Sequence, residues 1–353
     1  MCSAFSENDI NTTLLVTASK DSKKNFSNLK NKIWNFYGVK NRFSVEWLNF
    51  IYPNFRFKHF FHGLFVTFYL RRNNYSIIYT RSEWVAIFSS ILIKKKTILE
   101  LHNFKNTLSQ KIIIRLSLSN AFISLVCISN ALKNELIKYG FNKNILVAHD
   151  AVDLDLFNVN VDANQIKKKY DLNMTKPIIT HIGSIRKGRG FNTIINAAKD
   201  MKEFLFVFVC GHSADIEIIN KQKDKKLSNV KFIDFLANAE IPSILKISDA
   251  LLMTYSSNLD TLRFTSPLKM FEYMASGKPL ISSDYPVLRE ILNEKNSLLI
   301  ESSNSNVLQN AIIKIIDDKE FSNSISIQAL KDVKNYTWSN RAKKIIKFMQ
   351  TSN

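Results

Sequence analysis

The sequence predicts an α/β protein of two doubly wound, Rossmann-like domains facing a cleft, and three observations predict it. The second half alternates continuous apolar runs with amphipathic stretches, the pattern of a parallel sheet covered on both faces. The first half repeats that rhythm less cleanly, and a polar stretch, "NVNVDANQIKKKYDLN" (158–173), separates the halves. A chain of 353 residues is also long for a single core. The expected units are 1–165, 166–335 and a closing segment 336–353.

The elements follow in order. "TTLLVTAS" (12–19), "YSIIYTRS" (75–82), "KTILELHN" (96–103), "FISLVCIS" (122–129) and "NILVAHD" (144–150) read as strands of the first half. "EWVAIFSSILI" and "NALKNELIKYG" read as helices between them. In the second half the strands are "PIITHIG" (177–183), "FLFVFVCG" (204–211), "NVKFIDF" (229–235), "DALLMTY" (249–255) and "PLISSD" (279–284). The helices between them are "FNTIINAAKDM", "IEIINKQKDKK", "AEIPSILKIS" and "PLKMFEYMASG". In the last of these, Met270, Phe271, Met274 and Ala275 recur at helical spacing toward a core, and Glu272 is expected in its first turn.

Composition narrows the class. The 46% hydrophobic content and scarce glycine and proline fit a globular protein. Cys2, Cys127 and Cys210 lack metal-ligand spacing and read as free thiols in a reducing compartment. No secretory signal opens the chain and no apolar run reaches 18 residues, so the expected location is cytoplasmic. Net charge is +19, and residues 20–115 hold 18 Lys/Arg against 4 Asp/Glu. Arg56, Lys58, Arg71 and Arg72 flank an aromatic stretch, "FRFKHFFHGLFVTFYLRR" (55–72). A helix packed on its own domain with snorkelling ends is one reading. Peripheral attachment to an anionic membrane surface is the other. Nucleic acid is not an expected partner, because large apolar residues interrupt the basic ones and no known module appears.

Ligands of doubly wound sheets bind at the carboxyl ends of strands. There "HIGSIRKGRGF" (181–191) offers Gly183, then Ser184, Arg186, Lys187 and Arg189, and Gly190 before a helix. Glycine admits a phosphate to the backbone, and a helix start with nearby cations favours a dianion. The loop lacks the G-K-[ST] ending of a Walker loop. Gly211 closes the next strand. "SPLKMFE" supplies Ser266, Pro267, Leu268, Lys269 and Glu272 from another strand-to-helix turn, and His102 ends a strand in "LELHN". The "DLD" of 153–155 matches a metal-binding D-x-D pattern but reads as structural.

Seven pieces in order carry a resemblance: "LELHN" (99–103), "CISNALKNEL" (127–136), "ILVAHDAVDLDLF" (145–157), "HIGSIRKGRGF", "NVKFIDF", "SDALLMTYSS" (248–257) and "SPLKMFEYMASGKPLISSDYPVLREI" (266–291). Together they resemble the retaining glycosyltransferases of GT-B fold, family 4, over about residues 97–350. "YTWSNRAKKIIKFM" (336–349) resembles that family's last helix, which crosses back to the first domain.

The resemblance implies a nucleotide-diphosphate sugar as donor. Glu272 would accept hydrogen bonds from the ribose diol, and the "SPL" turn would offer N–H groups to the diphosphate. Arg189, with Arg186 or Lys187, would stabilise the leaving group, and His102 would sit near the transferred sugar. No cofactor and no metal is implied. A saccharide or lipid-linked acceptor in bacterial surface polysaccharide synthesis, at the inner membrane face, is the expected setting. There are departures: Ser184 replaces the family's arginine, Arg189 its lysine, and Phe264 a glutamate that faces the donor sugar. "TASKDSKKNF" also replaces the usual glycine-rich turn after the first strand. A nucleotide-sugar 2-epimerase and a non-catalytic membrane-bound partner of another transferase are the rival readings.

Overall fold

The computed structural model describes residues 1–18, 34, 43–49, 57–119, 123–141, 145–211, 215, 217–220 and 227–351. Arg56, most of the "TASKDSKKNF" segment and most of "IEIINKQKDKK" lie outside them.

The first half carries β1 (Thr13–Ala18), β2 (Ser44–Asn49), β3 (Ile77–Thr80), β4 (Lys96–Leu101), β5 (Ile123–Cys127) and β6 (Ile145–Val147). All pairings are parallel, β3 to β6 in sequence order as one sheet and β1 with β2 as a separate pair. The sequence reading missed β2. A cavity of about 390 Å³ is lined by Leu14 and Leu15 of β1 and by Ile77 and Tyr79 of β3.

The second half carries β7 (Ile178–Ile182), β8 (Leu205–Val209), β9 (Val230–Ile233), β10 (Ala250–Met253), β11 (Leu280–Ser283) and β12 (Leu298–Ile300). They form one parallel sheet in the order β12-β11-β10-β7-β8-β9. Its four inner strands, β11, β10, β7 and β8, are buried on both faces, as their apolar runs require, while the edge strands β9 and β12 are partly exposed. Leu205, Val207 and Val209 of β8 join one core cluster, while Phe206 and Phe208 join the other. At about 1.5–3 kcal/mol per buried large apolar side chain, these two layers dominate the stability of this half.

Two apolar contacts help tie the halves together. Helix Trp338–Thr351 returns to the first sheet, where Ala342, Ile345 and Met349 pack with Ile98, Val126 and Phe5. A short 3₁₀ turn, Leu262–Phe264, inserts Phe264 among Leu132, Leu136 and Leu125 of the first half. Phe264 therefore has a packing role at the junction: it is 4% exposed and its carbonyl accepts a hydrogen bond from the Ser129 hydroxyl at 3.0 Å.

Candidate active site

In the second sheet the chain runs outward from β7 in both directions, through β8 to β9 and through β10 to β12. The crevice between the ends of β7 and β10 is thus the topological switch point, where a doubly wound sheet binds its ligand. Gly183 leaves β7 with φ of 109°, and its N–H donates to Val209 O at 2.9 Å. Gly190 ends the loop with φ of 79°. A Cβ there would lie 1.5 Å from the Thr254 carbonyl oxygen, so only glycine lets the loop pass against the segment after β10.

Within the loop, Ser184 is structural support. Its hydroxyl donates to Asp215 Oδ1 at 3.0 Å, and the Ile185 N–H donates to the same oxygen at 3.2 Å. Arg186 folds back to donate from Nε to Ser184 Oγ at 2.9 Å, while remaining exposed, as does Lys187. Arg189 is half-buried, with its guanidinium 5.5 Å from the Tyr255 ring centroid. Gly211 follows β8, and a Cβ there would meet Phe235 N at 2.6 Å; it packs that loop against the one after β9.

Helix Leu268–Ser276 supplies the facing wall. Met270, Phe271, Met274 and Ala275 are all buried, as helical spacing predicts. Glu272 does not sit in the first turn: the helix begins at Leu268, after Pro267 as N-cap, which places Glu272 one turn further in. Pro267 has no N–H, and Met270 N–H already donates to Pro267 O at 3.0 Å. Leu268 and Lys269 therefore carry the donors this helix start can offer. Leu268 is exposed and, with Glu272, Asn238 and Ile241, lines a cavity of about 740 Å³.

Lys269 reaches the end of β7. Its Nζ donates to Ile182 O at 3.2 Å and lies 5.0 Å from the Tyr255 centroid. Neither Lys269 nor Arg189 has a carboxylate at ion-pair distance among the described residues. Burial, and then the Arg189 charge, lower the Lys269 ammonium to about 7, against a weaker opposing pull from Glu272. Burial lifts the Glu272 carboxyl to about 7, and Lys269 offsets part of that rise.

Unsatisfied polar atoms concentrate here. His181 Nε2, Asp215 Oδ2, Thr254 Oγ1 and the Tyr255 hydroxyl are buried without a hydrogen-bond partner. His181 is kept neutral: burial, then the Lys269 charge, push it well below its usual range. Such a group of orphaned donors and acceptors is costly in a core and marks a place where a polar ligand or water completes the bonding.

The first half contributes His102. Its Nε2 lies 2.5 Å from Glu100 Oε1, and Glu100 also accepts from Arg341 Nη2 at 2.8 Å and from the Tyr79 hydroxyl. Burial would raise the Glu100 carboxyl, but the His102 hydrogen bond, the Arg341 charge and Tyr79 outweigh it and hold it at about 2. Arg341 and His102 both bear electrostatically on Asp150, whose N–H donates to Ser266 Oγ at 2.9 Å. The Asp150 N–H thus ties the first half to the "SPLK" turn.

The structure brings Gly183, Arg189 and Lys269 together with Glu272 one turn along the helix, keeps His102 beside Glu100 in the first half, and leaves Arg186 and Lys187 exposed. Sequence reading missed Tyr255, Asp215, His181, Glu100 and Arg341. Tyr255 and His181 stand in quoted strand segments, and only the neighbouring of β7 and β10 reveals them. Asp153 of the "DLD" caps the Leu154–Phe157 turn by accepting from Asp155 N–H at 3.1 Å. Among the described residues no group of three or more His, Cys, Asp or Glu side chains is placed to hold a metal ion.

Two Rossmann-like halves, a switch-point crevice and a returning last helix are the architecture of a GT-B glycosyltransferase. Residues 162–332 match the family described as glycosyl transferases group 1. The chain is similar to an uncharacterized glycosyltransferase of Methanocaldococcus jannaschii, 24% identical over 329 residues, covering 85% of this chain and 82% of that one. Two solved structures share the fold. A glycosyltransferase from Rickettsia africae is 16% identical with a TM-score of 0.75, covering 97% of this chain and 98% of that one. HepE of Anabaena, solved with UDP and glucose, is 15% identical with a TM-score of 0.73, covering 97% and 100%.

Proposed function

We propose that this glycosyltransferase takes a nucleotide-diphosphate sugar as donor and transfers the sugar with retention of configuration. The acceptor is a saccharide or lipid-linked saccharide in bacterial surface polysaccharide synthesis, and no metal takes part. The observation that carries the reading is the Arg189 and Lys269 pair beside Gly183, two cations at a switch point with no carboxylate at ion-pair distance among the described residues. A diphosphate supplies the missing negative charge.

When the glycosidic bond to the diphosphate breaks, negative charge grows on the leaving group. Cations already in place stabilise that charge without reorganising. Glu272, on the same helix as Lys269 and facing the large cavity, offers two acceptor oxygens to a ribose diol. His102, oriented by Glu100, would stand on the acceptor side of the cleft. The UDP and glucose found in the Anabaena structure agree with such a donor.

The basic, aromatic helix Lys58–Arg72 supports attachment to an anionic membrane from the cytoplasmic side. Its inner face packs against helix Glu83–Ile91, with Phe60 against Trp84 and Phe88. Phe57, Phe61 and Phe68 remain 59%, 46% and 57% exposed, and Lys58, Arg71 and Arg72 are exposed beside them. No helix among the described residues is long and apolar enough to cross a membrane.

A panel of nucleotide-sugars screened by thermal melting tests the donor assignment. A ligand at 100 times its Kd adds about 2.7 kcal/mol, a readily measured rise in Tm. Stabilisation by at least one nucleotide-diphosphate sugar is expected, and none by any member would remove the assignment.

A further inference from the structure

We infer that the aromatic ring of Tyr255 is a positioning device for the leaving-group site, the platform that holds Arg189 and Lys269 side by side and charged. The inference rests on the proposal that the crevice binds a diphosphate. It adds a residue that the family motifs do not point to.

Two like charges brought to one crevice repel each other and lose hydration. Here the loop after β7 delivers Arg189 and helix Leu268–Ser276 delivers Lys269, and both meet the same ring, at 5.5 and 5.0 Å from its centroid. Both distances lie within the roughly 6 Å over which a ring face attracts a cation, an attraction that grows as water is excluded. Tyr255 is 1% exposed, and its backbone carbonyl accepts from the Ser283 hydroxyl at 2.7 Å. Thr254, just before it, lies against Gly190. The ring is therefore fixed from β11 and from the phosphate loop itself.

The hydroxyl has no hydrogen bond of normal geometry among the described residues, although Arg189 also bears on it. The two cations meet the ring face, and Tyr255→Phe separates ring from hydroxyl. The groups that bear on Lys269 are Arg189 from the loop, Glu272 from its own helix and neutral His181 from β7. Of these only Glu272 favours the charged lysine, and the Ile182 carbonyl, which accepts from Nζ at 3.2 Å, and the ring face add the remaining negative potential.

Calorimetric titration with inorganic pyrophosphate and with UDP, on wild type and variants of the full chain, tests this. Tyr255→Phe keeps the ring and should bind both probes within about twofold of wild type. Tyr255→Leu should lose about tenfold. Its affinity should also begin to fall at lower pH, because Lys269 discharges sooner. Should Tyr255→Leu fail to fold, mono-, di- and trifluorophenylalanine at position 255 serve instead. They draw electrons from the ring face at nearly constant shape, and pyrophosphate affinity should drop stepwise with each fluorine.

Affinity indifferent to fluorination, or a leucine variant with wild-type affinity and pH profile, overturns the platform. So does a Tyr255→Phe variant as weak as Tyr255→Leu, which would give the role to the hydroxyl. Wild type that binds none of pyrophosphate, UDP, GDP and ADP rejects instead the diphosphate reading on which the platform rests.

Discussion

Lys269 and Glu272 stand one helical turn apart, and both are shifted to about 7 from opposite directions. Because they interact, they titrate as a pair. Binding a diphosphate favours charged Lys269 and raises its pKa, so that contribution is full below about 7 and fades as pH rises through it. The Glu272 carboxylate is the better diol acceptor, and that contribution fades as pH falls through the same region. Donor affinity should therefore peak near pH 7. Lys269→Met should flatten the alkaline limb and Glu272→Gln the acid limb; a pH-independent affinity in wild type would contradict both assignments. Glu272→Ala should weaken donor binding by roughly 1–3 kcal/mol, measured by calorimetry on folded protein. Arg189→Ala should lower kcat more than it raises KM, since the charge it meets grows in the transition state. Glu272 was singled out in the sequence by the resemblance of "SPLKMFE" to the family motif, since helical spacing by itself gave only its four core neighbours. Tyr255 was not, because its importance depends on β10 lying next to β7, and strand order is not written in any one segment.

At the scale of elements, two polar clamps hold the halves in register. Glu290, from the second half, caps helix Asn130–Lys138 of the first: its carboxylate accepts from Asn130 N–H at 2.7 Å and Ala131 N–H at 2.8 Å, with His149 Nε2 at 2.8 Å. A carboxylate at a helix N-terminus satisfies free N–H groups and meets the favourable end of the dipole. Arg341, from the last helix, pairs with Glu100 at 4% and 5% exposure and also donates to His149 O at 2.9 Å and Ala148 O at 3.2 Å. Arg341→Met leaves buried Glu100 with only His102 and the Tyr79 hydroxyl as partners, and should destabilise the fold by up to about 3–5 kcal/mol in denaturant unfolding. The native Glu100 pKa of about 2 lies below its ordinary value, so its contribution is present above about 4.5 and is lost as pH falls toward 2. Acid unfolding of wild type should steepen in that window, and Glu100→Gln should flatten it. The motif "LELHN" revealed the strand and His102. Its glutamate's partner lies 241 positions away, a pairing that only the returning helix creates. The separation of β1 and β2 from the main first sheet was equally hidden, since an apolar alternation reveals a strand but not its neighbour.

For the whole molecule, the charge excess and the exposed aromatic face of helix Lys58–Arg72 make one prediction. Sedimentation with vesicles should require anionic lipid, and should weaken with salt without vanishing, because the exposed phenylalanines add an apolar contribution. Replacing Arg56, Lys58, Arg71 and Arg72 with glutamine should release the protein while donor affinity stays unchanged. Indifference of wild type to anionic vesicles at low salt would point to a soluble acceptor. The central claim, that the crevice transfers a sugar from a diphosphate donor, is tested most directly by proton NMR of a reaction mixture. The mixture contains the stabilising donor and candidate saccharide and lipid-linked acceptors. The account predicts that donor is consumed with an acceptor present, that the new bond keeps the donor's anomeric configuration, and that Arg189→Ala slows the step. Inverted product contradicts retention, donor whose sugar changes without any acceptor contradicts transfer, and no turnover with any donor and acceptor contradicts the account as a whole.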